Sequence, residues 1–338
     1  SDVCSSDLTT VVSMAVVTFV EPLNDVPVSP VPRVRVPVVL AVMVVVLALA
    51  PSVVYPVFLM KVMCFALFAC AFNLLIGFGG LLSFGHAMFL GTAGYAAAHA
   101  SKAWGWNPEV AVLFATLCST ALAVVVGLLA IRRQGIYFAM ITLALSQMVF
   151  FFYLQTPFTG GEDGIQAVPR GQLLGMFDLA DNGAMYVFVM SLFLMGFGAI
   201  WRIVHSPFGQ VLKAIRENEP RALSLGYDTD LYKLVAFILS GTFAGLAGGL
   251  KSLVFQLASL TDVHWSMSGE VVLMTLVGGL GTLFGPVVGA AVIVTMQNYL
   301  AQLGAWVTVV QGAIFVVCVL AFRRGIIGEL AHWLKKPL

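Results

Sequence analysis

From Ala111 to Ile131 the chain reads AVLFATLCSTALAVVVGLLAI, without one charged side chain. A run of this kind matches the roughly 20 apolar residues that a helix needs to cross a hydrocarbon layer. Comparable runs recur at roughly 36–55, 57–76, 80–100, 108–131, 135–154, 184–204, 233–255, 269–282, 284–302 and 304–322. Inside a bilayer no water satisfies a free backbone N–H or C=O, so each run must close its hydrogen bonds within itself. Helices do this. A β-barrel would instead show segments of about ten residues with alternating polarity, which this sequence lacks. The expected fold is all-α, a polytopic membrane protein with about ten transmembrane helices, some of them broken at glycine-rich stretches.

Composition excludes a water-soluble alternative. The chain is 60% hydrophobic and 10% charged, with a mean hydropathy of +0.99, whereas soluble domains are nearer a quarter charged. The net charge of +1 and the lack of a basic tract give no footing for nucleic acid. Membrane lipid is the expected solvent. Cys4, Cys64, Cys70, Cys118 and Cys318 have no metal-ligand spacing, and four of them lie inside apolar runs as small buried hydrophobes. Residues 1–33 differ from the rest. They lack the pattern of a secretory signal, and VPVSPVPRVRVP is too rich in proline for helix. They are expected to be an N-terminal tail, disordered or non-native at its extreme end. Residues 34–330 then form the membrane domain, and 331–338 a cytoplasmic C-terminal tail.

Lys and Arg orient the chain, because cytoplasmic loops carry their excess. With both termini inside, thirteen of the 17 basic residues fall on the cytoplasmic side. Lys61, Lys102, Arg170 and Lys251 fall on or near the other. The segment Lys213 to Asp230, KAIRENEPRALSLGYDTD, concentrates charge. Its seven charges would cost on the order of 20 kcal/mol in hydrocarbon, at about 3 kcal/mol each. It is therefore in water, on the cytoplasmic side. Ser206 can cap a helix with Pro207 in its first position. Phe208, Val211, Leu212 and Ile215 then form an apolar stripe at helical spacing, with Lys213, Arg216 and Glu217 facing away. Pro220 disfavours helix at Glu219 and starts a second short helix through Arg221 to Leu225, which stops at Gly226. Two readings stand: a solvated loop joining two spans, or a knob that docks a cytosolic partner.

AIRENEPRALSLGYDTDLYKLVAFILSGTFAGLAGGL resembles the cytoplasmic signature of the ABC-transporter permeases for branched-chain amino acids, specifically the M-type subunit. FNLLIGFGGLLSFGHAMFLGTAGYAAA (Phe72 to Ala98), QGIYFAMITLALSQM, TGGEDGI and LVGGLGTLFGPVVGA are similar to further landmarks of that family, in the same order over about 36–330. The usual importer pattern is Glu-Ala-Ala, three residues, then Gly; here only Ala222 and Gly226 keep that spacing. The resemblance implies a coupling segment within 206–230 that seats in an ATPase subunit. Its contributors would be Phe208, Val211, Leu212, Lys213, Ala214, Ile215, Arg216, Glu217, Asn218, Glu219, Pro220, Arg221, Ala222, Leu225 and Gly226. It further implies a homologous second permease subunit, two cytosolic ABC ATPase subunits, an external substrate-binding protein and an inner (plasma) membrane location in a bacterium or archaeon.

No nucleotide site stands in this sequence. GGLKS at Gly248–Ser252 has Leu250 where a phosphate-cradling loop needs glycine, and GGLGTLFG lacks a strand-to-helix setting. ATP and Mg are expected in the partner ATPase subunits, with no cofactor or metal held by this chain and no enzyme activity in it. The five histidines have neither metal nor catalytic spacing. Lys61 and Glu270 alone approach the interior of predicted spans, where ion-coupled carriers place ionisable groups; both sit near span ends, where snorkelling suffices. Glycine-interrupted helices point to the transport route. These are Gly77 to Gly94, with Asn73, Ser83, Gly85 and His86, and Gly278 to Gly289, with Gly279, Gly281 and Pro286. Thr142 and Ser146 join these pathway candidates, although His86 also fits a packed core histidine and the two hydroxyls can bond their own helix. TGGEDGI either receives a binding protein or forms a tight turn. The recurrence of Gly241, Gly245 and Gly249 reads as a helix-packing seam. An ABC permease for urea, short amides or sugars shares all these features, and an ion-coupled secondary transporter remains a rival.

Overall fold

The computed structural model describes residues 35–300 apart from 53, 134, 174 and 176, and beyond these 309–310, 312–313, 316 and 325–333. Twelve α-helices follow one another among the described residues. They are α1 (Arg35–Leu49), α2 (Pro56–Asn73), α3 (His86–Ala103), α4 (Pro108–Ala130), α5 (Ile136–Gln155) and α6 (Asn182–Val204). After these come α7 (Pro207–Glu217), α8 (Glu219–Ser224), α9 (Thr229–Phe255), α10 (Trp265–Gly278), α11 (Gly285–Leu300) and α12 (Gly325–Trp333). Proline opens α2, α4 and α7, where a missing N–H costs nothing. Asp181 and Asp228 cap α6 and α9 by accepting from the N–H groups of Ala184 and Leu231.

Five helical stretches are long and apolar enough to cross a membrane: Pro56–Phe78, α4, α5, α6 and α9. The architecture is all-α and polytopic. Nine of the ten expected segments meet a helix in their place, while 304–322 lies almost wholly outside the described residues, as do the tail 1–33 and residues 334–338. The expected breaks are also present. α2 runs into a π turn at Leu74–Phe78, and regular helix resumes only at His86. α10 stops at Gly279, where φ is +118°.

The long α9 forms the spine, packing against α2, α3 and α4. Its glycines make the contact close. A Cβ at Gly245 would stand 2.3 Å from that of Ser119, and one at Gly241 would stand 2.5 Å from that of Ala123. Ala115, Ser119 and Ala123 on α4 therefore answer Gly249, Gly245 and Gly241 on α9 at the same four-residue spacing. Small residues on both faces let the backbones approach, as expected for helices in lipid. Ser119 Oγ donates to the Gly241 carbonyl at 2.9 Å, and the hydroxyls of Thr120 and Thr242 pair at 2.9 Å. The outer faces of α4 and α5 are apolar and exposed, with Leu113, Leu117, Leu128, Tyr137 and Met140 turned outward.

The bundle has two ends. One carries the α7–α8 hairpin. The other carries the segments between α3 and α4, α5 and α6, and α9 and α10. There, β1 (Ile165–Gln166) pairs antiparallel with β4 (Leu257–Ala258), and β2 (Gln172–Leu173) pairs with β3 (Phe177–Asp178). Lys102 bonds the carbonyl of Gln166, Arg170 bonds that of Val254, and Lys251 pairs with Asp262, so three basic side chains are tied down at this loop end.

Candidate functional site

The hairpin is built as its sequence dictates. Ser206 Oγ accepts from the Gly209 N–H and caps α7. Asn218, rather than the proline alone, starts α8, its Oδ1 accepting from the Arg221 N–H at 3.0 Å. Gly226 follows with φ +88°, a conformation that costs glycine nothing. Glu219 turns back to form an ion pair with Lys233, which is 3% exposed on the second turn of α9. That pair fixes α8 to the spine.

The apolar stripe faces the molecule's own bundle. Leu212 and Ile215 are buried, Phe208 stacks on Tyr232 with ring centres 5.5 Å apart, and Leu212 lies over Gly79. Exposed apolar groups sit instead at the tip and on α8: Leu223 is 53%, Leu225 70% and Tyr227 40% exposed. Glu217 and Arg221 are exposed beside them. Lys213 and Arg216 depart from their expected outward direction. The Arg216 guanidinium donates to the carbonyl of Gly77, and the Lys213 ammonium lies 5.4 Å from the centre of the Phe78 ring. Helical spacing sets where a side chain leaves the backbone; the long stems then bend back along the apolar surface. Burial lowers the pKa of Lys213, with the Arg216 charge adding to the effect, and burial lowers that of Arg216 against the opposing influence of Glu217.

Beneath Arg216 the two glycine-rich stretches meet. Asn73 Nδ2 donates to the Thr282 carbonyl at 2.9 Å, and Asn73 Oδ1 accepts from the Gly281 N–H at 3.0 Å. One side-chain amide thus joins the end of α2 to the turn between α10 and α11. The join leaves no room for a side chain at Gly77. A Cβ there would lie 2.2 Å from Asn73 Oδ1 and 2.7 Å from the Gly281 nitrogen. Gly281, with φ +73°, has the Arg216 Nη1 3.4 Å from where its Cβ would be. Thr282 Oγ1 accepts from the Gly285 N–H and donates to the Gly279 carbonyl, closing the turn. Arg216 therefore reaches from the exposed hairpin to the point where two broken helices touch.

The remaining pathway candidates form a second group around the start of α3. His86 is fully buried, bonded through Nε2 to Ser240 Oγ at 2.7 Å and ringed edge-on by Phe72, Phe89 and Phe237. This is the surrounding of a packed core histidine. Ser83 Oγ accepts from the Gly85 N–H, and Gly85 lies against the Thr142 carbonyl. Thr142 bonds its own helix at Ala139, while Ser146 is buried without a hydrogen-bond partner among the described residues. None of these lines the cavity of about 380 Å³ between α3, α4 and α5 near the loop end, whose walls include Tyr95, His99, Trp104, Phe114 and Tyr153. TGGEDGI is a tight turn with Gly160, Gly161 and Gly164 at positive φ, and Gly164 packs on the Ala258 carbonyl.

Sequence reasoning passed over Gly209, Lys233 and Thr282. Gly209 was legible only as a helix residue, yet a Cβ there would stand 2.3 Å from the Val204 carbonyl.

Residues 55–319 match the family described as the branched-chain amino acid transport system permease component. The chain belongs to this family. It is 25% identical over 296 residues to the high-affinity branched-chain amino acid transport system permease protein LivM of Salmonella typhimurium, covering 81% of this chain and 70% of that protein. The corresponding protein of Escherichia coli is 24% identical over the same coverage. A shorter stretch, 140 residues at 30% identity, is similar to the ribose import permease protein RbsC of Bacillus subtilis and covers 39% of this chain and 44% of that one. No solved structure gives a significant match. The family's matched span takes in the hairpin, the Asn73 junction and every described helix from α2 to α11.

Proposed function

We propose that this chain is the permease subunit of an ATP-driven ABC importer for branched-chain amino acids in the inner membrane, with both termini cytoplasmic. It works beside a homologous second permease, two cytosolic ATPase subunits that use ATP and Mg, and an external substrate-binding protein. The observation that carries this reading is the Arg216 side chain, which runs from an exposed two-helix hairpin to the junction of the glycine breaks. Such a contact converts a push on the hairpin into a displacement of α2 against the α10–α11 turn. Leu223, Leu225 and Tyr227 supply the surface that an ATPase groove would cover, because the α7 stripe is already buried within the chain. Nucleotide binding in the partners would close them, carry the hairpin inward and rock the spans between inward- and outward-open forms. The hairpin end is taken as cytoplasmic because thirteen of the 17 basic residues gather there in the proposed topology.

A second reading, import of sugars, draws on the partial similarity to ribose and xylose permeases. The test is uptake into proteoliposomes. Leucine should enter only when the partner permease, the ATPases, the receptor and ATP are all present. A cysteine replacing Leu225 should cross-link to an ATPase subunit. Uptake by this chain alone would defeat the ABC reading, and uptake of ribose without leucine would select the second.

A further inference from the structure

Between α3, α4 and α5 the side chains do not fill the space, and the cavity of about 380 Å³ left there has a floor and a mouth. Thr92, Tyr95 and His99 follow one another up a single face of α3, over about 10 Å at 1.5 Å per residue. Phe114 and Cys118, one turn apart, form the α4 wall. Tyr153 of α5 closes the floor by stacking on Tyr95 with ring centres 4.8 Å apart. Thr92, Tyr95 and Tyr153 are all buried, whereas Trp104 and Phe158 at the mouth are about half exposed. These two meet the His99 ring edge-on, with centres 5.3 and 5.8 Å away.

The walls decide what fits. Among the described residues no Asp, Glu, Lys or Arg lines the cavity, and its surface is chiefly apolar. Folded interiors leave few voids larger than a water molecule, and an apolar void does not hold ordered water. A zwitterionic amino acid would bring two charges into a space with no ion to meet them. A hydrocarbon chain suits it. Position points the same way, because the two outer walls belong to helices whose outward faces are apolar and exposed: Leu117 precedes Cys118, and Phe152 precedes Tyr153. The mouth lies at Trp104, whose ring centre is 4.8 Å from that of Trp106, and tryptophan gathers where hydrocarbon meets lipid headgroups. Lys102 is exposed one turn along α3 from His99. One of its three N–H groups donates to the Gln166 carbonyl at 2.8 Å, and it makes no ion pair among the described residues, so two donors and the charge remain for a phosphate.

We infer that this cavity holds one acyl chain of an anionic phospholipid whose phosphate rests against Lys102. The chain lies between helices, in the aromatic sleeve from Trp104 down to Tyr153, and supplies the packing that the side chains of α3, α4 and α5 leave out near the loop end. It is a lipid held by the protein, distinct from the exchanging lipids around its outer faces. The site stands whatever solute the transporter carries.

The test uses the purified full chain in mild detergent, probed with a phosphatidylglycerol that carries a diazirine midway along one acyl chain. Photolabelling of the wild type should saturate, map to the peptides holding Phe114, Cys118 and Tyr153, and be competed by unlabelled phosphatidylglycerol. Ala96→Phe places a ring in the cavity and should cut this labelling about tenfold. Lys102→Gln should weaken competition by phosphatidylglycerol about tenfold and leave that by phosphatidylcholine unchanged, while Lys102→Arg keeps both. Label spread without saturation over Leu113, Tyr137 and Met140 in the wild type would overturn the site. Unchanged labelling in an Ala96→Phe protein of wild-type Tm would do the same. Loss of the label on adding leucine would give the cavity to the substrate, and loss on adding the second permease would give it to the subunit interface; either overturns the lipid.

Discussion

At Gly77 a hydrogen atom is all the structure accommodates, because Asn73 and Gly281 occupy the space where a side chain would begin. Gly77→Ala should therefore displace the Asn73 clamp and destabilise the protein by about 1–3 kcal/mol, the range for overpacking. The measurement is thermal unfolding in detergent: a lower Tm is expected, and an unaltered one would show that the junction yields freely. Asn73 was legible as a polar group in an apolar run, and so stood among the candidates for the transport route. Its partners were not, since Gly281 and Thr282 lie more than 200 residues away and nothing local announces them. Arg216 teaches a related limit. Periodicity put its Cα on the far side of the apolar stripe, but a long flexible stem decides where the guanidinium ends.

Among elements, the α9–α4 seam was half visible. Three glycines four residues apart declared a packing face on α9, while the answering Ala115, Ser119 and Ala123 were hidden in an ordinary apolar run. Gly245→Ile should force the two helices apart at Ser119, lowering both the yield of folded protein and its Tm. Normal yield and Tm would remove the seam from the account. The hairpin was more legible, because capping chemistry is local: Ser206, Pro207, Pro220 and Gly226 all act within one turn. Its anchor was not. Lys233→Ala would remove the ion pair that ties α8 to α9, and breaking a buried pair costs about 3 kcal/mol. Limited proteolysis should then cut between Ser206 and Gly226 faster than in the wild type; an unchanged rate would mean that α8 is held by other contacts.

At the scale of the whole molecule, the proposed role is to pass movement from one end of the bundle to the other. Its all-α nature followed from the bilayer's demand on backbone hydrogen bonds, and family membership from landmarks spread over most of the chain. What composition left obscure was how the two ends relate: tied basic groups and paired strands at one, an exposed hairpin at the other, with α9 spanning about 40 Å between them at 1.5 Å per residue. The central claim is that Arg216 carries the hairpin's movement into the Asn73 junction. The most direct measurement is the number of leucine molecules imported per ATP hydrolysed by the reconstituted transporter carrying Arg216→Ala. The account predicts that hydrolysis continues while this ratio falls by about tenfold or more, equivalent to some 1.4 kcal/mol of lost coupling. A ratio equal to that of the wild type would contradict it.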